Sequence, residues 1–201
     1  MFNFYLISEL EKIGFGSFGK KIIIKKSVQF YNPSKIHIGN NVIIDDYSLL
    51  SAEKEIVIKD NVHISSFCAL YGRHGIIMEN YAALSNRVTL YTESDDYSGD
   101  SLTNPTIPLQ FRPKYILGSI HLKAHVIVGT NSTILPNVTV GEGSAIGSHT
   151  LVTRNLDPWT IYFGIPAKKV KSRSKNLLLL ASQFEEMQSK ATSASQENEI
   201  I

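Results

Sequence analysis

The sequence predicts an all-β chain wound as a parallel β-helix, a three-sided prism of short strands. Three observations carry this prediction. Large apolar residues recur six apart, the triplets so formed repeat at a fixed longer interval, and residues suited to tight corners lie beside the apolar sites.

The spacing runs Ile38, Ile44, Leu50, then Ile58, Ile64, Leu70, then Met78, Leu84, Leu90, each triplet beginning twenty residues after the last. It extends back through Phe18, Ile24 and Phe30, and returns at Leu122, Val128, Ile134 and at Val140, Ile146, Val152. Four residues after many of these stand small or β-branched residues: Val42, Ser48, Val62, Cys68, Val88, Val126, Ser132, Val138, Ser144 and Thr150. A helix would need spacings of three and four, whereas paired columns six apart suit short strands joined by corners. Gly39, Asn40, Asn41, Asp60, Asn61, Asn80, Gly129, Asn137, Gly141 and Gly147 supply the corners with residues that tolerate unusual backbone angles.

The prism is therefore expected over 18–156 of a single domain spanning 1–201. Leu90 to Leu122 covers 32 residues where one side needs six or eight, so 91–118 reads as an excursion loop, polar and rich in Pro, Gly and Ser. Residues 157–201 read as a tail, with a short C-terminal helix over LLLLASQFEEMQSKA and a frayed end at SASQENEII. The first fifteen residues read as a small helix over the opposite end.

Composition excludes several function classes. A formal net charge of +2 on 201 residues gives no electrostatic case for nucleic acid. The single cysteine, Cys68, rules out an intramolecular disulfide and a multi-cysteine metal site, and no metal is expected. The N-terminus has acids where a signal peptide needs bases, and no apolar run reaches the ~20 residues of a membrane span. A cytoplasmic protein without a membrane span is expected.

The repeat resembles that of the hexapeptide-repeat acyltransferases, most closely sugar acetyltransferases of bacterial surface-polysaccharide pathways. The likeness covers roughly 18–173 and is densest in HVIVGTNSTILPNVTVGEGSAIGSHTLVTRNLDPWTIYFGIPAKKVKSR. It implies a left-handed winding, acetyl-CoA as acyl donor, a sugar or amino-sugar acceptor, and a homotrimer with acceptor sites between neighbouring prisms. By motif match, the residues implied for coenzyme A are Thr130 in IVGTNS, Ser148 in AIGSHTLVTR, Thr153 and Arg154 at the following step, and Lys168 and Lys171 in GIPAKKVKSR. His149 stands where relatives usually carry glycine.

Acyl transfer needs a nucleophile relieved of its proton, a stabilised oxyanion and a thiolate leaving group. Many relatives place a histidine base at the start of the excursion, but this chain has Asp95 and Asp96 there. An ordinary aspartate, pKa ~3.9, is a weak base for a hydroxyl. Asp95, Asp96 and, one coil below, His74 in YGRHGI are the candidate catalytic residues. Tyr91, Tyr97, Asn104 and Arg112 are candidate acceptor contacts. The resemblance implies O-acetylation of a sugar; an amine needs less help from a base, so N-acetylation of a nucleotide-linked amino sugar is the alternative. A non-catalytic binding or assembly role is the third reading.

Overall fold

The computed structural model describes residues 3–197. Three parallel sheets form the sides of a prism. The first side stacks Ser17–Phe18, Ile36–Ile38, Ile56–Ile58, Ile76–Met78, Ile120–Leu122 and Thr139–Val140. The second runs from Ile23–Ile24 through Ile43–Ile44, His63–Ile64, Ala83–Leu84, Ile127–Val128 and Ala145–Ile146. The third runs from Gln29–Tyr31 through Leu49–Ala52, Ala69–Gly72, Thr89–Tyr91 and Thr133–Ile134 to Leu151–Val152. Strand register follows the sequence period, with Ile38 beside Ile58, Ile58 beside Met78 and Met78 beside Leu122.

The six-residue columns are the core. Ile24, Ile44, Ile64, Leu84 and Val128 stack on the second side, and Leu50, Leu70, Leu90 and Ile134 on the third, all buried. Where the small-residue column carries a hydroxyl, it is satisfied inside the coil: Ser48 donates to the Ser65 carbonyl, Ser132 to that of Gly147 and Ser144 to that of Asp157. A buried polar column survives because each donor meets a corner carbonyl.

The corners need left-handed backbone, and mostly obtain it without glycine. Asn41, Asn61, Tyr81 and His125 hold positive φ between the first and second sides, and Tyr47, Phe67, Arg87, Asn131 and His149 between the second and third. Close approach explains Gly129, where a Cβ would lie 2.5 Å from the Ser148 backbone nitrogen.

The two extra residues of each early coil all fall at the third corner, between the third and first sides. Ala52, Gly72 and Thr92 lengthen the third side there, and Ile36, Ile56, Ile76 and Ile120 begin the next, buried. The excursion leaves from this corner. Its base is a two-stranded antiparallel ribbon, Glu93–Asp95 against Tyr115–Leu117.

Beyond residue 156 the second side continues through Thr160–Phe163, parallel to Ala145–Ile146, and Lys168–Ser172 closes it antiparallel. A helix, Asn176–Glu197, follows, with Leu177, Ala181 and Phe184 turned toward Ala83 and Ile127 of the second side and Tyr81 and His125 of the corner before it. It runs through most of the stretch read as frayed, whose last four residues, 198–201, lie outside the described residues. A second helix, Ile7–Ile13, buries Leu10 at the other end and terminates at Gly14 in the left-handed conformation. Among the described residues no helix is long and apolar enough to cross a membrane.

Candidate active site

The third corner stacks titratable side chains as regularly as the core stacks isoleucines. Glu53, Arg73 and Glu93 succeed one another at twenty-residue steps. The Arg73 guanidinium bridges the column, with Nε 3.0 Å from Glu53 Oε2 and Nη1 3.0 Å from both Glu93 oxygens. Above this column the excursion ribbon carries Asp95, and strand alternation turns Glu93 and Asp95 to the same face. Together they line a cavity of about 470 Å³, with Tyr71 and Tyr91 on one wall and Pro105 and Arg112 of the excursion on another.

Two long contacts hold Asp95. Its Oδ2 accepts from the Asn104 N–H at 3.3 Å, and its Oδ1 lies 3.8 Å from Arg112 Nη1, long for a charge-assisted bond. Arg112 is engaged by the loop itself. Its Nε donates to the Ile107 carbonyl at 2.9 Å, and its guanidinium lies over the Tyr115 ring at 5.0 Å. The carboxylate therefore keeps capacity for an incoming ammonium or hydroxyl. Burial, and then the neighbouring Tyr71, hold the Tyr91 phenol above its ordinary pKa, so it stays a donor.

The three candidates named from sequence part company. Asp96 turns into its own loop, where the Ser98 N–H and hydroxyl and the Asp100 N–H all donate to its carboxylate. Those bonds hold its pKa below the usual carboxylate value and occupy it as a turn former. His74 does not line the Asp95 cavity; its backbone N–H donates to Thr92 Oγ1, and its ring lies beside Glu93. The neighbour that shares Asp95's cavity is thus Glu93, two residues back, not Asp96. Sequence reading missed Glu93 and Arg73, although their succession after Glu53 at twenty-residue steps was a visible signal.

The six residues matched for the donor lie toward the C-terminal coils. Thr130 and Ser148 occupy equivalent positions of consecutive coils at the corner before the third side, where the His149 N–H donates to the Thr130 carbonyl at 2.8 Å. Thr153 and Arg154 are exposed just past Leu151–Val152, at the far end of that side. Lys168 and Lys171 are exposed on the closing strand. Among the described residues no side-chain hydrogen bond or ion pair engages any of the six. Thr130, Ser148, Thr153 and Arg154 flank the two ends of the third side, whereas Lys168 and Lys171 lie on the strand that closes the second, so the six are spread out and do not converge on one point. The same segment packs tightly: the Phe163 ring covers Gly147, where a Cβ would meet it at 1.8 Å.

No protein-family model matches the chain. The dTDP-4-amino-4,6-dideoxy-D-glucose acyltransferase of Escherichia coli is 38% identical over 177 residues, covering 88% of this chain and 92% of that one. The chain belongs to the hexapeptide-repeat sugar acyltransferases. As a member of that family it is an enzyme, an acyltransferase acting on a sugar-containing acceptor, and the non-catalytic reading falls away. Among solved structures, the N-acyltransferase AntD from Bacillus cereus, in complex with dTDP and 3-hydroxybutyryl-CoA, superposes with a TM-score of 0.90 at 43% identity, over 94% of this chain and 100% of that one. A further AntD variant was solved with dTDP-4-amino-4,6-dideoxyglucose and coenzyme A, covering 93% of this chain and 99% of that one at 43% identity. A hexapeptide-repeat acetyltransferase from Vibrio cholerae shares the fold, with a TM-score of 0.58 at 19% identity over 83% of this chain and 78% of that one.

Proposed function

We propose that this acyltransferase moves an acetyl group from acetyl-CoA to the amine of a nucleotide-linked amino sugar, with Asp95 as the group that receives the amine. The carrying observation is the cavity at the third corner: a carboxylate held at 3.8 Å from its nearest cation faces it, and no histidine is among its lining residues. That chemistry favours an amine over a hydroxyl, so the N-transfer alternative is preferred to the O-acetylation that the sequence resemblance implied first. A carboxylate draws in an ammonium electrostatically and accepts the proton an attacking amine sheds, whereas a sugar hydroxyl needs a stronger base. In the step itself the bound ammonium first loses one proton to solvent, the neutral amine nitrogen then bonds to the thioester carbonyl carbon, the carbon–sulfur bond breaks, and the nitrogen's second proton passes to Asp95 while the thiolate is protonated from solvent. Thr130, Ser148, Thr153, Arg154, Lys168 and Lys171 are read as the donor side, with their cations toward the phosphates of coenzyme A.

Two features of the relatives support the acceptor. The E. coli relative is named for a dTDP-linked amino sugar, and AntD was solved with one. AntD variants were made at a serine and at an aspartate ten residues further on. Here Asp95 is the only aspartate with a serine ten residues before it, Ser85. Ser85 follows Ala83–Leu84 at the second corner, while Asp95 rises from the third. We read a site using both as lying between neighbouring copies, in keeping with the homotrimer that the sequence resemblance implies.

Thiol release from acetyl-CoA with dTDP-4-amino-4,6-dideoxyglucose, against the same sugar carrying a hydroxyl at that carbon, tests the reading. Turnover with the amine alone, reduced at least ~100-fold in kcat by Asp95→Asn, is expected. Turnover with the hydroxyl sugar alone would overturn it.

A further inference from the structure

The outward end of the third side carries a ladder with one rung missing. Tyr31, Ser51, Tyr71 and Tyr91 are register partners in successive strands. The Tyr71 and Tyr91 rings stack at 5.0 Å, inclined by 5°. Ser51 interrupts the series, and its side chain is too short to fill the level between Tyr31 and Tyr71. The ladder at the second corner shows no such gap, for Tyr47 stacks on Phe67 at 5.1 Å and Arg87 lies over Phe67 at 5.1 Å. The rings flanking Ser51 are open, Tyr31 being 55% and Tyr71 39% exposed.

We infer that the Ser51 level is a slot for the nucleobase of the acceptor, an inference that rests on the nucleotide-linked acceptor proposed above. Two strand spacings separate Tyr31 from Tyr71, roughly 9.6 Å. A flat ring inserted midway lies ~4.8 Å from each, within the range of aromatic pairs and close to the native Tyr71–Tyr91 distance. The slot opens into the right cavity, since Ser51, Tyr71, Arg73 and Asp95 line it together. The order along the prism also fits. Ser51 lies two coils below Tyr91, after which the chain turns up to Asp95, and Arg73 stands in the coil between. A base over Ser51 and an amine at Asp95 bring the intervening diphosphate past Arg73. That guanidinium spends Nε on Glu53 and Nη1 on Glu93, leaving its Nη2 donors for a phosphate oxygen.

The test fills the missing rung. Ser51→Tyr continues the ladder on an outward-facing position, so an unchanged melting temperature and unchanged coenzyme A affinity will show that fold and donor side are intact. Calorimetric titration with dTDP is expected to give at least a tenfold weaker Kd for Ser51→Tyr, and about fivefold or more for Tyr31→Ala. Equal dTDP affinity in wild type and Ser51→Tyr, or no dTDP binding to wild type, would overturn the slot. If dTDP binds and Ser51→Tyr abolishes it, yet wild type acetylates no nucleotide-linked amine, the slot stands and the proposed reaction fails.

Discussion

Glu93 Oε2 lies 3.4 Å from Nε2 of His74, a ring nitrogen that is buried and makes no hydrogen bond among the described residues. The histidine therefore stands behind a carboxylate that faces the cavity, and bears on the acceptor through it. Glu93 is shared between this ring and Arg73, so its position depends on both.

Replacing His74 with alanine removes the backing of Glu93 and leaves Asp95 in place. The expected result is a loss of about three- to tenfold in kcat/KM for the acceptor, the size of one positioning contact, against ~100-fold or more in kcat for Asp95→Asn. Steady-state thiol release on both variants separates the two roles. Loss of all turnover in His74→Ala would restore it as the general base.

Asp96 belongs to loop architecture. Its carboxylate is held below the ordinary aspartate pKa, first by the Ser98 N–H and hydroxyl and then by the Asp100 N–H, so its stabilisation is full above that ordinary value. It is lost as pH falls through the lower, folded value. Amide resonances of Ser98 and Asp100 should shift together on acidification below about pH 4. Asp96→Ala should reproduce those shifts at neutral pH with kcat/KM changed by less than about threefold, an exposed loop substitution being small in effect. A large fall in kcat would return Asp96 to the chemistry.

His125 sits in a continuous stack that docks the C-terminal helix. Its ring lies 4.8 Å from Tyr81 and 6.5 Å from Trp159, and Lys175 covers Trp159 at 5.3 Å. Tyr81 donates to Glu185 of the helix, and Arg173 caps the carbonyls of His125, Gly143 and Ser144. Burial, and then Arg173, depress the His125 pKa below 6.5, opposed by Glu142 and Glu185. The folded state thus disfavours the imidazolium. Its contribution is complete above 6.5 and is lost as pH falls through the folded value. Trp159 is the only tryptophan, so its fluorescence should titrate with a midpoint below 6.5. His125→Asn keeps a residue suited to φ 61° and should flatten that titration. A midpoint above 6.5 would contradict the burial argument.

The coil geometry was legible because a core column is a local property of spacing. Every sixth large apolar residue from Ile24 through Val152 has to face the axis, apart from the excursion, and Val42 or Ser132 four residues on has to be small. The site was harder to read for a physical reason. Asp95 and Asp96 look equivalent in a line of letters, but strand alternation sends Asp95 toward the cavity with Glu93, while a turn consumes Asp96 in its own backbone.

By itself, then, the sequence determined a parallel prism and, through its likeness to known acyltransferases, the kind of chemistry, since both rest on short-range periodicity and motif. Only the tertiary structure decided which carboxylates share a cavity, that His74 faces Glu93, and that Tyr31 and Tyr71 flank an empty rung at Ser51. Those relationships join residues a whole coil apart, and the stacking of strands, not their order in the chain, sets such distances.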